Sequence, residues 1–132
     1  MSKILFKVNV STVIIKDGKF LLIRRADDEE VFPGMWGVPG GAVEPRDSSL
    51  EDALMRECKE EVGIEIGNSK LIANDIHDKG AIYLVYRSEY ILGTPQALDG
   101  TAEVAWLDIE SARNLELTPK TFDMLELCQK EV

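Results

Sequence analysis

The nine residues Arg56-Glu57-Cys58-Lys59-Glu60-Glu61-Val62-Gly63-Ile64, RECKEEVGI, gather three glutamates where a helix is about to end. Gly63 marks the end, because glycine tolerates the left-handed backbone found just past a helix C-terminus. Backbone carbonyls already concentrate negative charge there, so helix stability alone favours cations, by a few tenths of a kcal/mol to about 1 kcal/mol per charge. Something other than the helix wants those carboxylates. Winding the residues at about 100° each places Leu50, Ala53, Leu54 and Cys58 in one apolar stripe. Glu57 and Glu61, one turn apart, fall within that arc or at its edge, with Glu60 on the flank. A purely solvated acidic face would lie opposite the stripe. The acids are expected to face the body of the protein, and an ordinary solvated charge cluster is the alternative.

Carboxylates at i and i+4 repel, and partial desolvation makes the repulsion worse, so each must bind a proton or find a cation. Arg56 can answer one of three. A bound divalent metal resolves the remainder, and oxygen-only ligands favour hard ions, Mg²⁺ or Mn²⁺, over zinc.

Outward from this stretch, the helix is expected over about Ser49 to Val62, capped by Ser48 or Ser49. Upstream, Val8, Val10, Thr12 and Ile14 alternate, Asp17-Gly18 signals a turn, and Phe20 to Ile23 is a buried run, together a β-hairpin. Asp27 to Glu30 reads as a solvated loop, and Pro33 to Gly41 holds too much Pro and Gly for regular structure. Downstream, Lys70 to Asp78 and Ala81 to Leu92 read as strands joined near Lys79-Gly80, with a short strand near Val104 to Leu107. Thr118-Pro119 reads as an N-cap followed by proline in the first helical position, opening a helix with Phe122, Leu125 and Cys128 on one face. The pattern predicts one domain over residues 1–132, of α/β (α+β) class, with a mixed sheet packed between helices.

Composition narrows the function. The chain has 132 residues, 45% hydrophobic and 30% charged, enough for an apolar core without disulfide or metal staples. No apolar run approaches the roughly 20 residues of a membrane span. The beginning of the chain lacks the pattern of a secretory signal, so a cytoplasmic protein is expected. Cys58 and Cys128 lack the spacing of a zinc or redox site and read as reduced core thiols. A net charge of −9 argues against gripping duplex nucleic acid and repels small polyphosphates at long range. A phosphate-bearing substrate would therefore need a local positive group. Homodimerisation is left open.

RECKEEVGI resembles the second half of the signature of the Nudix hydrolases: Gly, five residues, Glu, seven residues, then Arg-Glu-U-x-Glu-Glu-x-Gly-U, with U aliphatic. The first half departs from it. Gly41 is followed after five residues by Asp47 in place of Glu, and eight residues separate Asp47 from Arg56. The stretches Leu21 to Ala26, Trp36 to Gly41 and Glu103 to Leu107 are similar to family features, in family order. The resemblance implies the Nudix fold, an α/β/α sandwich around a mixed sheet. It also implies Mg²⁺-dependent hydrolysis of a nucleoside diphosphate linked to another moiety, of the MutT-like kind. ADP-ribose or nucleotide-sugar hydrolysis, or a non-catalytic nucleotide-sensing module, are the alternatives. In that reading Glu57, Glu60, Glu61 and the carbonyl of Gly41 hold the metal, and Arg56 orients the acids. Glu57, Glu61 or Glu103 acts as general base, while Arg25, Trp36 and Phe32 meet the substrate. His77 reads as a bystander, and Thr118 borders the base pocket.

Overall fold

The computed structural model describes residues 3–77 and 80–130. Strand β1 (Lys7–Lys16) turns through Asp17 and Gly18, both at positive φ, into β2 (Lys19–Arg25), with Ile15 opposite Phe20 and Lys16 opposite Lys19. This is the hairpin that the Asp-Gly pair signals, since such turns need φ > 0 at both central positions. Beyond it come β3 (Trp36–Gly37), β4 (Gly40–Ala42), α1 (Leu50–Val62), β5 (Glu65–His77), β6 (Ala81–Leu92), β7 (Thr101–Leu107), α2 (Ile109–Arg113) and α3 (Thr121–Gln129). The sheet runs β3-β2-β1-β6-β5, with β4 also on β1 and β7 also on β2. β1 and β6 are parallel and the other pairs antiparallel, so the sheet is mixed.

Alternation along β1 and β2 builds two cores. Val10, Ile14, Leu21 and Ile23 pack against Ala53, Leu54, Cys58 and Val62 of α1. Their neighbours Val13, Phe20 and Leu22 point the other way, onto Ala112 of α2 and Leu125 and Cys128 of α3. Successive strand residues face opposite sides, so one hairpin supplies the apolar surface of both helical layers. The result is an α/β/α sandwich, and both cysteines are buried free thiols within it. None of the described helices is long and apolar enough to cross a membrane.

Several boundaries differ from the sequence reading. β5 begins at Glu65 rather than Lys70, because its pairing with β6 absorbs irregularities between Glu65 and Ile66, Gly67 and Lys70, and Leu71 and Ala73. β7 begins at Thr101, three residues ahead of Val104. The Pro/Gly-rich stretch, expected to be irregular, contributes the short strands β3 and β4. Thr118-Pro119 does not open a helix. Lys120, in the left-handed region, precedes α3 without a side-chain cap, and the Thr118 hydroxyl instead shares a 2.6 Å hydrogen bond with that of Thr121. Asp78 and Lys79 lie outside the described residues.

Candidate functional site

α1 starts at Ser49, whose hydroxyl accepts from the Asp52 amide at 3.0 Å, and stops at Gly63, whose amide donates to the carbonyls of Cys58 and Lys59. Between these caps the buried stripe fixes the rotation of the helix. With Cys58 fully buried, Glu57 and Glu61 are carried towards the sheet and Glu60 to the exposed flank.

The acids meet the Gly40-Gly41 backbone. β4 pairs with β1 so closely that a Cβ on Gly40 would stand 2.3 Å from the Val10 carbonyl oxygen. Gly40 donates its amide to Glu61 Oε1 at 2.8 Å. A Cβ on Gly41 would fall 2.4 Å from Glu57 Oε2, so only glycine lets the carboxylate lie against the chain there.

Arg56 organises the remainder. Its Nε and Nη2 donate to the two oxygens of Asp47 at 2.8 and 2.9 Å, and Nη2 also reaches the Ala42 carbonyl. Nη1 donates to Glu57 Oε1 at 2.9 Å and Glu60 Oε2 at 3.1 Å. Asp47, only 4% exposed, also accepts from the Glu44 amide. The Arg56 guanidinium and that amide hold its carboxyl down at about 2. Of the eight residues between Asp47 and Arg56, Ser48 and Ser49 precede α1, and Ser49 caps it. Arg46, unremarked in the sequence, binds Glu44 and the free side of Glu60.

Glu57 and Glu61 are held differently. Burial raises the proton affinity of Glu57, which Arg56 partly offsets. Burial pushes Glu61 up to about 8; the Gly40 amide and Arg25 oppose the rise, while Glu57 and Asp99 add to it. The Asp99 segment is tied to α1 by the Leu98 amide, which donates to the Glu61 carbonyl at 3.0 Å. Arg25 donates to the Val31 carbonyl and to Glu29, so its guanidinium sits between the acids and the loop after β2. Phe32, at positive φ, is exposed on that loop. Trp36 is half-buried against the α3-side core. Glu103 is brought to Arg24, its partner across the β2–β7 ladder, at 3.2 Å, and not to Glu57 or Glu61. His77 pairs with Asp75 and stacks edge-on to Tyr83, away from these acids.

Among the described residues no three acids form a finished cage for an ion. Glu60 is engaged by two guanidiniums and would have to exchange a partner to become a ligand. Glu57 and Glu61 use Oε1 in the contacts above. They form an oxygen-only pair, partly desolvated and short of positive charge, which suits a hard divalent cation. Sequence reasoning missed Gly40, Glu44, Arg46 and Asp99: Gly40, Asp99 and the Arg46–Glu60 contact depend on non-local pairing, whereas Glu44 acts within the local turn to Asp47.

A family model described as NUDIX domain matches residues 5–128. The chain is 39% identical over 88 residues to the nucleoside triphosphatase NudI of Escherichia fergusonii, an alignment covering 58% of this chain and 62% of that protein. It is 47% identical over 57 residues to NudI of Escherichia coli K12, covering 43% and 40%. The chain thus spans less than two thirds of these curated relatives. Among solved structures, the E. coli ORF135 protein is 32% identical with a TM-score of 0.72, over 93% of this chain and 88% of that one. A MutT NUDIX hydrolase from Burkholderia pseudomallei is 27% identical with a TM-score of 0.74, over 91% and 95%. With a family model running through both helical layers and the acid-bearing turn of α1, this chain belongs to the Nudix family.

Proposed function

We propose that the protein is a Mg²⁺-dependent pyrophosphohydrolase acting on a nucleoside diphosphate linked to another moiety, a nucleoside triphosphate or modified nucleotide first. The observation that carries this reading is the pair Glu57 and Glu61, part-buried on one helix face against Gly40-Gly41 and short of countercharge. Nudix hydrolases generally use divalent metals. Here Glu57 and Glu61, with Glu60 after release from Arg46 or Arg56 and with the Gly41 carbonyl, would hold one, and Mn²⁺ would substitute. Such an ion neutralises a pyrophosphate and lowers the pKa of a bound water.

The chain's own groups do the remainder. Asp47 locks Arg56 bidentately, and Arg56 fixes the Glu57 carboxylate, which makes Arg56 a positioning residue. Glu57 and Glu61 are the acids placed to accept the proton of the attacking water. Arg25 supplies the local positive group that the net charge of −9 requires, a substrate phosphate displacing Glu29 from it. Phe32, exposed on the adjacent loop, and Trp36 are the rings offered to the base. We rank triphosphates ahead of ADP-ribose because the NudI relatives are described as nucleoside triphosphatases.

The test is a panel of nucleoside triphosphates, oxidised nucleotides, ADP-ribose and nucleotide sugars with Mg²⁺, read by released products, for the wild type and Glu57→Gln. Metal-dependent turnover that collapses in the variant is expected. No turnover of any member, with nucleotide binding unchanged in Glu57→Gln, would make the protein a sensor.

A further inference from the structure

A cavity of about 420 Å³ opens on the α1 face of the sheet, lined by Leu21, Tyr90, Gly93, Thr94, Val104 and Trp106, with Lys16 beside them. Its Lys16 end is set apart from the Gly40-Gly41 backbone that meets the acids: Gly41 pairs with Val10, whereas Lys16 ends the same strand six residues on, roughly 20 Å away at about 3.3 Å per residue. The planes of Tyr90 and Trp106 meet at 89°, with centroids 5.7 Å apart, so they form two walls at right angles. Lys16 Nζ stands 4.4 Å from the Tyr90 centroid and 5.8 Å from that of Trp106.

Two features make this more than a surface dent. In a chain with 24 acids against 15 lysines and arginines, Lys16 makes no ion pair among the described residues. Its ammonium stands over aromatic faces, whose quadrupole attracts a cation without cancelling its charge. A smaller contiguous cavity of about 220 Å³ shares Lys16 and Trp106 and adds Lys19, along with Asp17 from the turn. The Tyr90 hydroxyl is spent on the Gly93 carbonyl, so it braces the Gly93–Pro95 corner. That corner leads into the segment whose Gln96 and Leu98 amides donate to the carbonyls of Val62 and Glu61. An occupant would therefore touch the chain that buttresses the last turn of α1.

We propose that this cavity is a second ligand site that takes a small planar aromatic anion. The ring stacks on one wall and meets the other edge-on, an arrangement favoured by the aromatic quadrupole. The anionic group faces Lys16, with Lys19 behind it. The volume lies within the range of small-molecule pockets.

The test is a titration of the full chain with 2-naphthoate, and with neutral 2-naphthamide as control, followed by the indole and amide NMR signals. The expected result is a saturable shift of the Trp106 indole and of the Gly93 and Thr94 amides, with the Trp36 indole still. Affinity is expected to drop at least about tenfold for the amide, and for 2-naphthoate with Lys16→Met, an exposed position whose replacement leaves both cores intact. Absence of saturation at millimolar probe, equal binding of the neutral amide, indifference to Lys16→Met, or a response at Trp36 in place of Trp106 would each overturn the assignment.

Discussion

Glu61 and Asp47 are both acids of one site, yet their surroundings push them in opposite directions, and pH should separate them. Glu61 rises from an ordinary 4.5 to about 8 in the metal-free fold, so between those values the folded chain holds a proton that the unfolded chain has lost. Its contribution is fully present below pH 4.5 and is lost as pH rises towards 8, with a slope of at most about 1.4 kcal/mol per pH unit for one proton. Asp47 falls from 3.8 to about 2, so its contribution is present above 3.8 and is lost as pH drops through 2. Denaturant unfolding of the metal-free protein from pH 4 to 9 should show stability declining with pH. Glu61→Gln should flatten that decline and be the more stable protein at pH 8.5. A decline unchanged by Glu61→Gln would place the carboxyl in water.

Elements differed in how much of them could be read before folding. α1 was legible to within a residue, because its stripe, its serine cap and its terminal glycine are local signals, and the same stripe turned the acids inward. The two short strands were not, since β3 and β4 exist only through pairing with β2 and β1. α2 escaped notice although Asp108, which caps it through the Ser111 amide, is a signal the sequence carries. Asp47 was seen as the position of a missing glutamate, but its clasp on Arg56 follows from how the Glu44–Asp47 turn folds back. Glu103 was expected with the metal acids, and the β2–β7 register delivers it to Arg24. At this scale the packing of α1 on β4 makes a separable prediction. Gly41→Ala would drive its methyl into the Glu57 carboxylate, whereas the helix caps and the two cores stay as they are. Mg²⁺ affinity should fall by at least about tenfold with a stability loss under about 1.5 kcal/mol, within the ordinary range for single substitutions. Calorimetry and denaturant unfolding of the same sample measure both.

Across the whole molecule, β1 and β2 carry the apolar surface of both helical layers, so neither layer can leave without disturbing the strands that hold the other. Leu54 on one side and Leu125 on the other are fully buried, and truncating either to alanine should cost about 3 kcal/mol. The two lie in different clusters with no shared partner, so their effects should add within about 0.5 kcal/mol while unfolding stays a single transition. Two transitions, or a double variant that loses only one layer, would show that the layers fold independently. The same architecture positions the site: α1 brings the acids, the β4 backbone receives them, and Arg25 at the end of β2 stands opposite. The proposed function requires a cation at the centre of that convergence, in a chain of net charge −9. The most direct measurement is Mg²⁺ titration by calorimetry at pH 7.5, in buffers of different ionisation enthalpy, for the wild type and Glu61→Gln. The wild type should bind Mg²⁺ with release of a fraction of a proton. Glu61→Gln should bind at least about tenfold more weakly and release less. Equal affinity and equal proton release in the two proteins would contradict the proposed metal site.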